Sequence, residues 1–320
     1  MKIIVLFLCI LICFSKLTGQ IRKDIVNKAL LNLPKKENLD ILKMCLEMSK
    51  FKSSYSLKDE ESAYLAYKWI IRNIIYDTKG EKEGNSTTDI ATVYKTGKGG
   101  SIGISGLFKT MCDLLKVKGD TILGLTKTFS EDYPSKIITQ EYAWNYILID
   151  NEYYLIDVVK AISFEKYTKT RDSDFYFGMN PEASIRLHFP NDNKWQLLPK
   201  IITKDEFKSM AYLNEGFYSL GFKAISPDVQ SLNKSQEIKI ILKSDNSFDE
   251  IHDQIELFDM KEVDNIDSEL PWMGFPFKID KKSNGLYEFS FNMYEAGFAS
   301  ISAENTKTGE IYSLVYFDSK

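Results

Sequence analysis

The spacing of apolar side chains predicts three amphipathic helices in the first half of the chain. Leu39, Leu42 and Leu46 would share one face of a helix over residues 38–51. Two more helices carry apolar residues at successive spacings of four, three and four, which is typical of a buried helical face. These faces consist of Ala63, Tyr67, Ile70 and Ile74 in the earlier helix, and Ile104, Phe108, Met111 and Leu115 in the later one. Each helix is therefore expected to bury one side.

Strand patterns follow these helices. Residues 121–127 predict one strand, and residues 142–149 and 153–159 predict a hairpin joined by the turn Asp150-Asn151-Glu152. Residues 174–198 are rich in aromatic side chains and predict an irregular segment. Helices mixed with a sheet in this way are typical of an α+β fold.

The pattern changes after Pro199 to short alternating strands. Alternating apolar and polar side chains predict strands at residues 237–243, 287–293 and 311–317. Such strands, separated by turns, are typical of a β-sandwich. We therefore predict a first domain over residues 20–204 and an all-β, immunoglobulin-like sandwich over residues 205–320.

The first nineteen residues predict a secretory signal peptide. Met1-Lys2 is followed by the unbroken apolar run Ile3–Phe14 and by a polar stretch that reaches Gln20. The run is short for a membrane span, since a transmembrane helix needs about 20 residues. We expect cleavage before Gln20 and export to the periplasm or the extracellular space, with an uncleaved membrane anchor as the alternative. No later apolar run is long enough to span a membrane, so the mature chain is expected to lack an integral membrane segment.

Charge and composition exclude several classes of function. The chain has 41 Lys and Arg against 45 Asp and Glu, a formal charge of −4, so nucleic-acid binding by bulk charge is not expected. Its two histidines, His188 and His252, are too few for a multi-histidine metal site, and we predict neither a metal nor a cofactor. One acidic group lacks the spacing of an EF-hand loop and predicts a solvated turn, with a weak calcium site as the alternative. It consists of Asp245, Asp249, Glu250 and Asp253.

Two cysteines would remain after signal cleavage. Cys45 and Cys112 both lie within predicted helices. Buried free thiols are one interpretation of this pair, and a Cys45–Cys112 disulfide is the other.

Several motifs of the first half occur in a recognisable order. They are the helix end Trp69–Asp77, the glycine turn Gly97–Ser101, Ala143-Trp144-Asn145, Ile156-Asp157 and His188-Phe189-Pro190. This order resembles transglutaminase-like proteins, and its last part resembles the bacterial relatives of kyphoscoliosis peptidase. The resemblance covers about residues 38–225 and implies a papain-like fold for the first domain.

The resemblance also implies a catalytic triad. The family places a cysteine at the N-terminus of the central helix, a histidine at the start of one strand and an aspartate on the next. Helix-terminal N–H groups favour a thiolate, the histidine acts as base, and the aspartate orients it. The matching positions here are Ser101, Tyr142 and Asp157. A tyrosine with the usual pKa of about 10 is a poor base for a serine hydroxyl, so we predict an inactive protein.

The former catalytic cleft is predicted to bind a peptide, a protein or a cell-envelope polymer. Gly100, Trp144 and Asn145 are the residues expected to line it, although a place in the core is the favoured interpretation of Trp144. One alternative is an active peptidase or transglutaminase with an atypical Ser101-Tyr142-Asp157 site. Another is a purely structural domain in which Tyr142 fills the cleft.

Two other residues are not expected to act in catalysis. Cys112 lies eleven residues beyond Ser101, about 16 Å along the helix, which is too far from its N-terminus. His188 belongs to a motif that is structural in the family, near the end of the first domain.

Overall fold

The computed structural model describes most of the chain. The described residues are 17, 21–36, 39–129, 137–167, 173–219, 221–233, 237–244, 255–259, 273–274, 278–282, 286–292, 298–305 and 310–319. The chain divides into two compact units, one of residues 1–124 and 142–181, the other of residues 125–141 and 182–320. The predicted boundary near residue 205 falls inside the second unit.

The helices of the first unit surround one central helix. Their bounds are Lys23–Asn32 (α1), Ile41–Ser54 (α2), Asp59–Asn73 (α3), Thr78–Lys82 (α4), Ile90–Thr96 (α5), Ser101–Leu114 (α6) and Val158–Tyr167 (α7). Helix α6 contacts α2, α3, α5 and α7. The predicted apolar faces of α3 and α6 are buried in full. Burial of these faces places the first turn of α6 within the fold of this unit.

Helix α2 buries a different face from the predicted one. Leu42 and Leu46 are more than half exposed, whereas Met44, Cys45 and Met48 are buried. The prediction that Leu42 and Leu46 lie on the buried face of this helix is therefore wrong. Both sets of residues repeat at helical spacing, so periodicity alone could not decide which of them faces the core.

Along the chain, the strands begin with a short parallel pair. Its strands and those of the main sheet are Ile75–Tyr76 (β1), Lys98–Gly99 (β2), Gly119–Phe129 (β3), Ile137–Ile149 (β4), Glu152–Ile156 (β5), Phe177–Met179 (β6) and His188–Pro190 (β7). β1 pairs with β2, and the main sheet has the order β6-β5-β4-β3-β7. β4 and β5 form the predicted antiparallel hairpin, with Asn145 opposite Ile156. Asp150 and Asn151 adopt positive φ angles in its turn, a conformation that Asn and Asp tolerate better than most residues.

Two sequence predictions fail beside this sheet. The strand predicted over residues 153–159 ends at Ile156, because Asp157 caps helix α7 through the backbone N–H of Lys160. The segment 174–198, predicted to be irregular, contains β6 and β7 and a short helix between them. That helix, Pro181–Leu187 (α8), begins with a proline, which suits the first helical position.

The second unit continues with two short helices and two further sheets. Its remaining elements are Lys204–Ser209 (α9), Tyr212–Leu213 (β8), Glu215–Ser219 (α10), Phe222–Ser226 (β9), Ser231–Leu232 (β10), Glu237–Ser244 (β11), Ile255–Asp259 (β12), Met273–Gly274 (β13), Lys278–Lys282 (β14), Leu286–Asn292 (β15), Phe298–Asn305 (β16) and Glu310–Ser319 (β17). One sheet has the order β10-β17-β16-β12-β13, with β8 also on β17, and the other has the order β14-β15-β11-β9. A single buried apolar cluster draws on both sheets, for example through Leu242 and Phe317.

Some sequence predictions concern residues outside the described part of the chain. They are the apolar run Ile3–Phe14, the cleavage point before Gln20 and the acidic group of Asp245, Asp249, Glu250 and Asp253. Among the residues that the structure describes, no helix combines the length and the apolar character needed to cross a membrane.

An ion pair between Arg22, whose side chain is 40% exposed, and the buried Glu61 holds the start of the described chain in place. Arg22 donates from Nε to Oε1 of Glu61 at 2.7 Å and from Nη2 to Oε2 at 2.5 Å. Burial alone would raise the pKa of Glu61, but the hydrogen bonds from Arg22 and from the backbone of Lys58 outweigh it and lower the pKa to about 2. The residues that follow the predicted cleavage point are thus held against α3.

Candidate functional site

The N-terminus of helix α6 holds the residue predicted at the nucleophile position. Ser101 is the first residue of the helix, and the preceding residue, Gly100, has no side chain with which to cap it. Glu81 supplies the missing acceptor, because the backbone N–H of Ser101 lies 3.1 Å from each of its carboxylate oxygens. The Ser101 hydroxyl donates to the same carboxylate. A negative charge at this place is favoured by the helix dipole.

The residues predicted at the base and orienting positions lie in contact. Tyr142 on β4 donates its hydroxyl hydrogen to Asp157, with distances of 3.0 and 3.2 Å to the two carboxylate oxygens. Both side chains are buried. Burial, and then the nearby Asp157 carboxylate, raise the pKa of Tyr142 well above its usual value. The phenol is therefore a hydrogen-bond donor here and not a proton acceptor.

Lys160 is a neighbour that the sequence did not indicate. Its ammonium group lies 5.9 Å from the centre of the Tyr142 ring, a cation–π distance. Burial lowers the pKa of Lys160, and the attraction of Asp157 opposes that effect only in part. The available signal was its position three residues after Asp157, where its backbone N–H meets the capping carboxylate.

The three residues predicted to line the cleft are all buried. Trp144 is 1% exposed and Asn145 is fully buried. Asn145 donates from Nδ2 to the carbonyl oxygen of Ser105 at 3.0 Å, which ties β4 to α6. A side chain at Gly100 would collide with Glu81, since an ideal Cβ there lies 1.9 Å from Oε2. In this conformation Gly100, Trp144 and Asn145 present no surface to a ligand.

Glu81 is the residue of this site that sequence reasoning missed. It lies at the start of the polar segment 80–88, which has no apolar periodicity, so nothing in the pattern marked it. Its helix, α4, is short and begins after Asp77, whose side chain accepts the N–H of Gly80. The Asp77–Gly80 spacing was the only local sign that this segment is ordered.

The cysteines and His188 take no part in this arrangement. Cys45 and Cys112 are buried free thiols, which decides between the two interpretations of the pair. Burial raises the pKa of Cys45 to about 12 and raises that of Cys112 further. Neither thiol is therefore activated as a nucleophile. His188 is buried on β7, in the second unit.

Two curated proteins are similar in sequence to part of this chain. The chain is 26% identical over 183 residues to "Kyphoscoliosis peptidase" of Mus musculus and 28% identical over 185 residues to that of Homo sapiens. Each match covers 54% of this chain and 27% of the relative. The chain is transglutaminase-like. The transglutaminase-like superfamily predicted from the sequence motifs is thus confirmed, as is a mixed α+β fold.

The transglutaminase-like relationship has a limited extent. The chain spans about a quarter of the length of the curated relatives that it matches. A crystal structure described as that of a TGase shares 13% identity and covers 40% of this chain and 33% of its own, at a TM-score of 0.28, which is too low to support a conclusion. No protein-family model matches the chain.

Proposed function

We propose that this transglutaminase-like protein is catalytically inactive and that it binds a peptide, a protein or a cell-surface polymer beside the former catalytic position. The observation that carries the proposal is the hydrogen bonding of Ser101. Its hydroxyl and its backbone N–H both engage Glu81. A backbone N–H of this kind stabilises the oxyanion in acyl transfer, and here a carboxylate already occupies it.

The position of the base supports the same conclusion. General-base catalysis needs a group that accepts a proton near the working pH. Tyr142 keeps its proton, because burial raises its pKa, and its hydroxyl donates a hydrogen bond to Asp157. The Tyr142–Asp157 pair thus keeps the hydrogen bond that would orient a catalytic base. The residue at the base position, Tyr142, does not accept a proton.

An exposed apolar flank supports the binding role. Ile102, next to Ser101 on the first turn of α6, is 46% exposed. Ile75 on β1 is 61% exposed, and it pairs with Lys98, three residues before Ser101. Exposed isoleucines beside a closed catalytic position offer contact area to an extended polymer or peptide.

The active-enzyme alternative also has an observation in its favour. Ser101 stands at a helix N-terminus, and its hydroxyl already donates to a carboxylate that could accept a proton. A carboxylate is a weaker base than imidazole, since its usual pKa is about 4 against about 6.5. A peptidase or transglutaminase of this kind would have an atypical Ser101-Tyr142-Asp157 site in which Glu81, and not Tyr142, accepts the proton of Ser101.

Comparison of the wild type with Ser101→Ala tests whether the protein is catalytically inactive or is an active enzyme. We expect equal, background-level hydrolysis of fluorescent casein and equal incorporation of a dansylated amine into casein, because the serine has no effective base. Both are measured over pH 5–9, with trypsin and a transglutaminase as positive controls. Turnover by the wild type at least tenfold above Ser101→Ala would establish the enzyme alternative instead.

We also propose that the protein is exported. The apolar run Ile3–Phe14 supports this, followed by polar residues up to Gln20. Intact-mass measurement of the protein from the producing cell's envelope fraction or medium should give a chain that lacks about 19 residues. A protein that retains Met1 and occurs only in the cytosol would contradict the proposal.

For residues 205–320, we propose an immunoglobulin-like sandwich. Two sheets, antiparallel except for the parallel pair β10–β17, share one apolar cluster, and a sandwich requires two sheets packed over a common core.

A further inference from the structure

The polar segment of residues 80–88, here called the strap, covers the N-terminus of helix α6. Three observations describe its contact with Ser101. Both carboxylate oxygens of Glu81 accept the Ser101 N–H at 3.1 Å, the Ser101 hydroxyl donates to Glu81, and Ser101 itself is 0% exposed. The strap thus supplies the cap that Gly100 cannot provide.

Two glycines of the α6 region make this close approach possible. An ideal Cβ at Gly100 would lie 1.9 Å from Oε2 of Glu81 and 2.7 Å from Oγ of Ser86. At Gly103 it would lie 2.6 Å from the carbonyl oxygen of Thr87. At Gly100 the neighbouring atoms belong to side chains that could shift, but at Gly103 the neighbour is backbone, which leaves no room for a side chain. The strap therefore rests directly on the first turn of the helix.

Polar contacts and not apolar packing hold the strap in place. Residues 80–88 contain no large apolar side chain. The carbonyl oxygen of Gly80 accepts the N–H groups of Asn85 and Ser86, each at 2.9 Å, and Asp77 caps Gly80 at 3.0 Å. Several strap residues are exposed, namely Lys82, Glu83, Gly84, Asn85 and Thr88. A segment with so few buried apolar contacts belongs to the low-stability parts of a protein, which open first.

We propose that the strap is an internal lid, in which the Glu81 carboxylate blocks the former catalytic position until a ligand displaces it. This rests on the proposed function in one respect, that the former cleft is where a ligand binds. Serine suits the closed state better than the cysteine of the family pattern. A thiolate beside the Glu81 carboxylate would be repelled, whereas a hydroxyl donates a hydrogen bond to it.

The test measures access to residue 101 by alkylation. Ser101→Cys is treated with iodoacetamide at pH 8, and the peptide that carries residue 101 is quantified by mass spectrometry, which separates it from Cys45 and Cys112. We expect alkylation at least tenfold slower in the folded protein than in guanidinium. Adding Glu81→Ala should speed alkylation at least tenfold, whereas adding Glu83→Ala, at an exposed acid of the same strap, should not.

A second measurement does not depend on the new thiol. Amide hydrogen exchange of residues 101–104 in the wild-type serine background should accelerate in Glu81→Ala and remain unchanged in Glu83→Ala. Fast alkylation of Ser101→Cys while Glu81 is present would overturn the lid. So would amide exchange at residues 101–104 that is the same in the wild type and in Glu81→Ala. Neither readout involves catalysis or a ligand, so an active wild type would refute the proposed function and leave the lid standing.

Discussion

Replacing Gly103 by alanine is expected to lower the free energy of unfolding by about 2 kcal/mol. The new Cβ would lie 2.6 Å from the carbonyl oxygen of Thr87 and 2.8 Å from Cγ2 of Val93, so the backbone of the strap must move. Overpacking of this kind costs up to about 3 kcal/mol, and the better helix propensity of alanine returns about 1 kcal/mol. Urea denaturation followed by far-ultraviolet circular dichroism measures the difference.

Gly106, three residues further along α6, provides the matched control. A Cβ at this position meets only the side chain of Ile90, at 3.3 Å, and that side chain can adjust. Gly106→Ala should therefore be neutral or should stabilise the protein by up to about 1 kcal/mol through helix propensity. If Gly103→Ala proves as stable as Gly106→Ala, the strap does not rest on α6 as described.

The two helices whose predicted faces are buried differ in how far burial extends around them. Helix α3 is buried at every position from Glu60 to Ile71, so its predicted face is buried along with the others. Helix α6 buries its predicted face and leaves Ile102 46% exposed, so spacing is enough to identify its core side. Helix α2 carries two competing faces, one with Leu42 and Leu46 and one with Met44 and Met48. Sequence spacing cannot rank two such faces, because their burial depends on which neighbour packs against the helix.

The candidate site was predictable only where a family motif marked it. The motif order placed Ser101 at a helix start and Tyr142 near Asp157, and the structure has both features. Glu81 lies in a polar segment, where contacts depend on the tertiary path of the chain and leave no periodic trace. The end of β5 was missed for a related reason, since the apolar run around Val158 is compatible with either a strand or a helix.

A lysine in the interior of the second unit is expected to make the stability of the protein depend strongly on pH. Lys127 is 0% exposed, and its Nζ donates to the carbonyl oxygen of Met210 at 2.5 Å and lies 5.0 Å from the centre of the Phe207 ring. Burial, followed by repulsion from Arg186, lowers the pKa of Lys127 to about 7, although Asp228 and Asp318 oppose the shift. Because Lys127 ends a predicted strand, sequence alone would assign it to the surface.

The sign of the resulting pH dependence follows from the two pKa values. In the unfolded chain the lysine has a pKa of about 10.4, so between pH 7 and 10 the unfolded state binds more protons than the folded state. The contribution of Lys127 to stability therefore rises with pH in this range and is smallest below pH 7. Integration over the interval from pH 7 to pH 9 gives a gain of about 2 kcal/mol.

Lys127→Met should remove this gain. The substitution leaves the Met210 carbonyl oxygen without the Lys127 donor, a cost that does not vary with pH, so the informative quantity is the slope of stability against pH. We expect the free energy of unfolding of the wild type to rise by about 2 kcal/mol more than that of Lys127→Met between pH 7 and pH 9. Lys208→Met, at an exposed lysine beside Phe207, should keep the wild-type slope. Equal slopes for the wild type and Lys127→Met would mean that the lysine is solvated or carries its charge unperturbed, and that the interior of the second unit is not closed around it.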